Sequence, residues 1–309
     1  MWKYILRRLL AVIPVLLGVI FIVYMIMSMA PGDPVLQLVG EQATPEQIEA
    51  KRIELGLDKP VLLQYVNYVF KLVQGDFGNS YKTKTGVIIE IAARFPTTLK
   101  MSLTAVIISV VLALPLGVVA AVKQNTWIDG VSMFIALLGV SVPIFWLGLM
   151  LLLLFSLRLG WFPASGTNAG IRSFILPGFA LGFQSMATIA RTTRSSMLEV
   201  IRQDYIRTAR AKGVPYGTVI RRHALRNALI PTVTMVGLQV GSLLSGSVLT
   251  ETVFGLPGLG RYMIASISGR DTPSVLGCIV MFTLIFTLVN LLVDLLYGFI
   301  DPRIRAQYK

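Results

Sequence analysis

Six blocks of mostly apolar residues, each about as long as a membrane span, constrain this chain more than any other feature. A bilayer core about 30 Å thick is crossed by roughly 20 residues of helix, because a helix rises about 1.5 Å per residue. Backbone polar groups in hydrocarbon need internal partners, which excludes open strands. The sequence therefore predicts an all-α integral membrane protein with six transmembrane helices, over residues 9–30, 99–122, 131–157, 174–190, 229–251 and 275–300.

The composition supports a membrane protein and excludes several kinds of site. The chain is 55% hydrophobic and 14% charged, whereas soluble domains are about 45–50% apolar and about 25% charged. One cysteine, Cys278, excludes an internal disulfide, and one histidine, His223, excludes a histidine-built metal site or a Ser-His-Asp triad. In so apolar a chain, the net charge of +13 indicates lysines and arginines on the cytoplasmic side rather than nucleic-acid binding.

The distribution of lysine and arginine predicts the orientation of the spans. With the N-terminus inside, the cytoplasmic segments hold 16 basic residues and the two short outer loops hold four. Both termini are therefore expected in the cytoplasm. The first span is expected to be an uncleaved anchor, because its apolar run exceeds the about 7–15 residues of a signal peptide.

The segment between the first two spans, residues 31–96, is predicted to be a small extracytoplasmic insert. Thr44 followed by Pro45 is typical of a helix start and predicts a helix to about Glu54. Apolar residues at helical spacing predict a second helix over residues 61–73. A passive loop and a docking surface or gate both remain open. The other predicted divisions are the N-terminal tail with the first span (1–30), spans two to six (97–300) and a cytoplasmic tail (301–309).

Residues 191–228, called the basic loop below, join the fourth and fifth spans on the predicted cytoplasmic side. Nine lysines and arginines lie between residues 191 and 226. Helical patterns on either side are broken at residues 213–217, where Pro215 lies between two glycines. The basic loop is either a solvated segment near anionic lipid or a docking lever for a cytoplasmic partner. Its regularly spaced apolar residues favour docking.

The motifs of catalysis and nucleotide binding are absent from the sequence. It contains no GxxxxGK[ST], HExxH or CxxC pattern, and the glycine-rich residues 255–260 lack a surrounding strand–helix unit. The chain is therefore expected to bind no cofactor, metal or ATP itself. An enzyme is disfavoured because no nucleophile, base or metal ligands cluster.

Polar and small residues in the fifth and sixth spans are candidates for a translocation pathway. Gly237, Gly241 and Ser245 repeat every fourth residue, which indicates either tight helix packing or a pathway lining. In one interpretation Asp294 pairs with a nearby cation or with backbone groups, and Glu251 faces outer water. In the other, each belongs to the pathway or its gate. The pathway or gate candidates are Gln239, Ser242, Ser245, Gly246, Glu251 and Asp294.

Several short motifs occur along the chain. In the basic loop they are residues 207–213 (RTARAKG) and 223–231 (HALRNALIP). Elsewhere they are residues 31–34 (PGDP), 55–60 (LGLDKP), 257–261 (PGLGR), 290–297 (NLLVDLLY) and 301–305 (DPRIR). Together they resemble the permease subunits of bacterial ABC importers, in the branch of the dipeptide, oligopeptide, glutathione and nickel permeases, and most of all the dipeptide permease membrane subunit. The resemblance covers nearly the whole chain and implies the type I ABC-importer permease fold.

The resemblance implies that the basic loop contains a coupling helix that sits in a groove of an ATPase subunit. The family pattern is EAA, three residues, then Gly; counting back from Gly213, Arg207 stands where that pattern has Glu. The residues that the resemblance assigns to ATPase coupling are Asp204, Tyr205, Arg207, Thr208, Ala209, Arg210, Ala211, Lys212, Gly213, Val214, Pro215, His223, Arg226 and Asn227.

The function implied is half of a translocation pathway for dipeptides or oligopeptides, in the cell membrane and in contact with lipid. The implied partners are a second, related permease chain, two ATPase subunits that bind ATP and Mg²⁺, and an extracytoplasmic binding protein. Nickel and glutathione are alternative cargoes, and an ion-coupled secondary carrier that uses Glu251 or Asp294 is a further alternative.

Overall fold

The computed structural model describes residues 2–30, 32–40 and 43–300, most of which are helical. The predicted cytoplasmic tail, residues 301–309, lies outside the described residues. The helices are α1 (Trp2–Met29), α2 (Pro34–Val39), α3 (Pro45–Glu54), α4 (Val61–Val73), α5 (Val87–Val122), α6 (Trp127–Ser141), α7 (Ile144–Leu151), α8 (Arg172–Ile201), α9 (Asp204–Ala211), α10 (Tyr216–Thr218), α11 (Leu225–Val253), α12 (Leu259–Ser268) and α13 (Thr272–Ile300). Segments of π-helix, Leu152–Arg158 and Val219–Ala224, continue α7 and α10.

The long apolar helices correspond to the predicted spans. Within the described residues, five stretches are long and apolar enough to cross a membrane, in α1, α5, α8, α10–α11 and α13. The bent pair α6–α7 makes a sixth if it is counted as one span. The all-α membrane class predicted from the sequence is confirmed.

The third predicted span differs from the expected uninterrupted helix over residues 131–157. The chain bends by 105° between α6 and α7. Pro143 precedes α7, and Val142 before it is extended, with φ −82° and ψ 125°. The residue before a proline is disfavoured in helix, because the proline ring clashes with its backbone. The apolar composition continues across this bend and gives no sign of it. The prediction of one continuous helix over residues 131–157 is therefore wrong at Val142 and Pro143.

Two helices extend beyond the predicted spans because tertiary packing supports them. α5 begins at Val87, ahead of the predicted start at residue 99, and α8 continues to Ile201, past residue 190. Val87 and Ile91 are fully buried in a cluster with Leu259 and Cys278. This burial stabilises the turns of α5 that precede Pro96, since packing of an apolar face contributes most of a helix's stability.

The chain divides into two compact units, residues 1–98 with 257–287, called the first unit, and residues 99–256 with 288–309, called the second unit. In the first unit, Ile20 and Tyr24 of α1 form a buried cluster with Leu276 and Val280 of α13. Tyr65 packs against this cluster. The membrane helices and the insert therefore share one core in this unit.

The insert helices agree with the sequence predictions. Thr44 caps α3, its hydroxyl accepting a bond from the Gln47 amide at 3.4 Å while the Gln47 side chain accepts one from the Thr44 amide at 3.1 Å. The helix ends at Glu54 as predicted, and α4 has the predicted bounds. The short helix α2, which the sequence analysis did not predict, begins after Asp33, whose side chain accepts a bond from the Val35 amide.

In the second unit, α8 is the most enclosed helix and the others approach it at glycines. Of its most apolar window, 72% is buried. A Cβ on Gly182 would lie 2.6 Å from the Ala105 carbonyl oxygen of α5. On α6, a Cβ on Gly139 would lie 2.8 Å from the Phe183 carbonyl oxygen. Small residues allow such backbone contact between membrane helices.

An ion pair joins the start of α6 to α8. The Arg194 guanidinium donates two bonds to the Asp129 carboxylate, each 2.7 Å long. Asp129, which is largely buried, also accepts a bond from the Asn125 amide at 3.1 Å. Planar two-bond geometry of this kind is stronger and more directional than a single contact. The pair therefore holds α6 against the end of α8.

We expect Gly182→Ala to destabilise the protein, since its Cβ would collide with backbone that cannot rotate away. Overpacking of this kind costs about 1–3 kcal/mol. Gly130→Ala on α6 is the matched control, because no neighbouring heavy atom lies within 4 Å of its Cβ. Thermal unfolding of the purified protein in detergent should occur several degrees lower for Gly182→Ala alone. Equal midpoints for the two variants would contradict the close approach.

Arg194→Gln should also destabilise the protein, because it leaves the Asp129 carboxylate largely buried without its cation. Hydrogen bonds to charged groups are worth about 1.5–3 kcal/mol, so a loss of about 2 kcal/mol is expected. Arg191→Gln, which changes an exposed arginine one turn earlier, should have little effect. The same unfolding measurement checks both variants, and a midpoint for Arg194→Gln equal to that of Arg191→Gln would refute the role of the pair.

Candidate functional site

The basic loop forms short helices joined by a tight turn, as the sequence predicts. After α8, residues 202 and 203 interrupt the helix and α9 follows. Gly213 has φ +76°, a left-handed conformation that residues with a Cβ rarely adopt. Pro215 precedes α10, and π-helix then leads into α11.

One side of α9 is fastened to the ends of three long helices. Ile206 of α9 is fully buried and belongs to a cluster with Met197 of α8, Ala121 of α5 and Ala228 of α11. Val219 of the π-helical segment completes the contact. Burying such a side chain contributes about 1.5–3 kcal/mol. α9 is therefore packed against the ends of α5, α8 and α11.

The other side of α9 is exposed and predominantly basic. Arg207 forms a 3.9 Å ion pair with Asp204, and both side chains are more than three-quarters exposed, so the pair contributes little. The exposed residues, called the α9 surface below, are Asp204, Tyr205, Arg207, Thr208, Arg210, Ala211 and Lys212. All of them are among the residues predicted to couple to an ATPase.

Two side-chain contacts hold α9 to the chain that follows it. Asn227 donates a 2.8 Å hydrogen bond to the Tyr205 hydroxyl. The Arg210 guanidinium lies 5.0 Å from the centre of the Tyr216 ring, a cation–π distance. Tyr216 was absent from the predicted site residues, although an aromatic residue directly after Pro215 in a basic segment is a recognisable signal.

The remaining predicted loop residues lie around this core. Ala209 and Val214 are half-buried and pack against the Ile206 cluster, whereas Gly213, Pro215 and Arg226 are exposed. His223 is half-buried in the π-helical segment, and its carbonyl accepts a bond from the Asn227 side chain at 3.2 Å.

The pathway candidates differ in burial. Ser242 is exposed and Gln239 is half-buried on α11, whereas a Cβ on Gly246 would lie 3.3 Å from Leu181 of α8. Glu251 is fully buried, so the alternative that it faces outer water is wrong. The Ser245 side chain lies outside the described residues.

Gly237 and Asp294 complete the candidates of the fifth and sixth spans. A Cβ on Gly237 would lie 2.4 Å from a methyl group of Val293 on α13, which supports helix packing at this position. Asp294 is half-buried on α13. Among the described residues, no three His, Cys, Asp or Glu side chains are grouped so that they could hold a metal ion.

Comparison with protein families identifies both parts of the chain. Residues 113–306 match the family described as the inner membrane component of binding-protein-dependent transport systems. Residues 1–104 match the N-terminal region of such membrane components. The matches together cover nearly the whole chain.

Curated relatives confirm the resemblance predicted from the sequence motifs. The dipeptide transport system permease protein DppB of Alkalihalophilus pseudofirmus is 46% identical, over 99% of this chain and all of the relative. The di/tripeptide permease protein DppB of Pseudomonas aeruginosa is 44% identical over the same shares. The glutathione permease protein GsiC of Escherichia coli K12 is 45% identical over 99% of each chain.

Solved structures share the fold at low sequence identity. A chain of the methionine ABC transporter MetNI in an inward-facing conformation superposes with a TM-score of 0.59 at 20% identity, covering 69% of this chain and 96% of that one. A chain of an amino acid ABC transporter gives 0.55 at 18% identity, covering 68% and 94%. The predicted type I importer permease fold is therefore confirmed. This chain belongs to the family of inner-membrane components of binding-protein-dependent transport systems, and it is a transport component rather than an enzyme.

Proposed function

We propose that this chain is a permease subunit of an ATP-driven importer of dipeptides or oligopeptides and forms half of its translocation pathway. The observation that carries the proposal is the α9 surface, an exposed basic helix fastened through Ile206 to the ends of three long helices. The peptide cargo is supported by relatives named for dipeptides and for di- and tripeptides. A relative named for glutathione makes that peptide the second candidate cargo.

The energy for transport comes from other chains. This sequence contains no GxxxxGK[ST] loop, the pattern that cradles nucleotide phosphates. We therefore assign ATP and Mg²⁺ to two ATPase partners, onto one of which the α9 surface docks. When ATP binding closes the ATPases, α9 is displaced, and the buried contact of Ile206 moves the ends of α5, α8 and α11 with it. The two positions are the inward- and outward-open states.

The orientation follows from the same surface. The nine basic residues between 191 and 226 place the basic loop in the cytoplasm under the positive-inside rule. Both termini are then cytoplasmic, and the insert, residues 31–96, lies outside the membrane, facing an extracytoplasmic binding protein.

A second, related permease chain completes the pathway. Only a third of the most apolar window of the α10–α11 span is buried within this chain. Exposed α11 residues include Leu238, Ser242 and Leu249, and polar groups at membrane depth usually face a protein or an aqueous cavity. Gln239 and Ser242 are therefore the strongest pathway candidates, and Ser245 stays a candidate from the sequence alone. Gly246, Glu251 and Asp294 are assigned to packing and gating around the pathway.

We expect ATP-dependent peptide uptake into proteoliposomes that contain this chain, its permease partner and both ATPases, with the binding protein supplied outside. A labelled dipeptide should accumulate, and labelled glutathione is the second cargo tested. Liposomes containing this chain alone, under a proton or sodium gradient, are the control and should show no uptake. Gradient-driven uptake by this chain alone, or uptake of Ni²⁺ without peptide, would contradict the proposal.

Gly213→Val should uncouple ATP hydrolysis from uptake, because a β-branched residue is strained at φ +76°. A left-handed conformation costs about 1–2 kcal/mol, so uptake should fall about tenfold while ATP hydrolysis continues. Gly213→Asn should retain more activity, since asparagine tolerates this conformation better.

Gly217→Ala is the matched control for Gly213. Its Cβ would meet only the flexible end of Arg221, 3.7 Å away, and uptake should be unchanged. Co-purification with the ATPases checks that each variant assembles. Normal uptake by an assembled Gly213→Val transporter would count against α9 as the coupling element.

A further inference from the structure

We propose that a cavity in the first unit, on the insert, binds small acidic peptides through their carboxylates. The cavity has a volume of about 660 Å³ and is lined by residues of α3, α4 and the turn at 78–84. Sites for small molecules are usually about 300–1,000 Å³. The proposal rests on the proposed function for the choice of a peptide as ligand.

Positive charge is concentrated in this cavity although the surrounding segment is not basic. Residues 31–86 contain six basic and seven acidic side chains. Four of those basic residues line the cavity, namely Lys51, Lys59, Lys71 and Lys84, but only two of the acidic ones, Glu54 and Asp76. Folding therefore brings more lysines than carboxylates to the lining of the cavity, and this excess of positive charge favours binding of an anion.

The two carboxylates of the lining already have partners. Lys51 bonds to Glu54 at 2.6 Å, and this hydrogen bond, with the charges of Lys51 and Lys84, lowers the pKa of Glu54. Asp76 accepts a bond from the Gly78 amide at 2.8 Å. Within the described part of the chain, Lys59, Lys71 and Lys84 form no ion pair within 4 Å. Their ammonium groups are the ones available to a ligand.

Aromatic residues supply an apolar wall. Tyr68, Phe70 and Tyr81 line the cavity. Ligand sites commonly combine apolar walls with a few polar or charged groups, and the lysines are those groups here.

A buried carboxylate holds one wall of the cavity in place. Asp271 accepts bonds from the Tyr81 amide at 3.0 Å and from the hydroxyls of Ser80 and Ser274. It is 2% exposed, so these bonds are shielded from water. The turn that carries Tyr81 and Lys84 is therefore positioned before any ligand arrives, which lowers the entropic cost of binding.

The concave shape favours a small ligand over a protein surface. Stable protein–protein contacts bury about 800 Å² on each partner, whereas this cavity has a volume of about 660 Å³ and four lysines in its lining. Two or three residues of peptide with carboxylate side chains would match the lysines with charge and the tyrosines with apolar area.

The test is direct binding to the complete purified transporter, without its binding protein, measured by calorimetry in low salt. The probe is N-acetyl-Glu-Phe-Glu, and N-acetyl-Gln-Phe-Gln-amide is its neutral equivalent. The acidic probe should bind at least tenfold more tightly than the neutral one, and added salt should weaken it by screening.

Variants locate the binding. The triple variant Lys59→Gln, Lys71→Gln, Lys84→Gln should weaken binding of the acidic probe at least tenfold. Lys82→Gln is the matched control, because Lys82 lies on the same turn but does not line the cavity. Binding by Lys82→Gln should equal that of the unmodified transporter.

Equal binding of the two probes, no binding of the acidic probe, or full binding by the triple variant would overturn the proposal. If the triple variant loses only its association with the binding protein, the lysines dock a protein and the proposal also fails. ATP-dependent dipeptide uptake is measured on the same preparations. Uptake without probe binding would contradict only the proposed binding in the cavity. Probe binding without uptake would contradict only the proposed transport function.

Discussion

Backbone contact between α8 and its neighbours is the interaction on which the second unit depends. In hydrocarbon, apolar side chains gain little by leaving lipid for protein, so helices associate through van der Waals contact and polar bonds. Gly182 and Gly139 allow the backbones of α5 and α8, and of α6 and α8, to touch, and there is no room for a Cβ at either position. The Asp129–Arg194 pair adds a polar bond at the start of α6. α5 and α6 are therefore packed directly against α8.

The basic loop is attached to these packed helices through α9. A helix that floated on a flexible linker would transmit no force, however well it bound a partner. α9 instead buries Ile206 among residues of α5, α8 and α11, and Asn227 and Tyr216 tie it to the segment that follows. The exposed side carries Arg207, Arg210 and Lys212. One short helix is thus packed against the long helices on one side and exposes basic residues on the other, and the proposed coupling role rests on this arrangement.

Local signals in the sequence were sufficient where the structure depends on local chemistry. The helix start at Thr44, the bounds of α4 and the turn at residues 213–217 depend on residues within a few positions of one another, and each was predicted. The corner at Pro143 was missed because apolar composition continued on both sides, although the proline was visible. The early start of α5 depends on burial of Val87 and Ile91 against residues far along the chain, and no local pattern contains that information.

The sequence by itself determined that the chain is a helical membrane protein, which family it resembles, and where its basic loop lies. These properties follow from hydropathy, charge and short motifs, which are read along the chain. Only the tertiary structure decided that Glu251 is buried, that the pathway candidates on α11 differ in burial, and that four lysines line one cavity of the insert. Each of these depends on which helix faces meet, and that is decided by packing between residues distant in sequence.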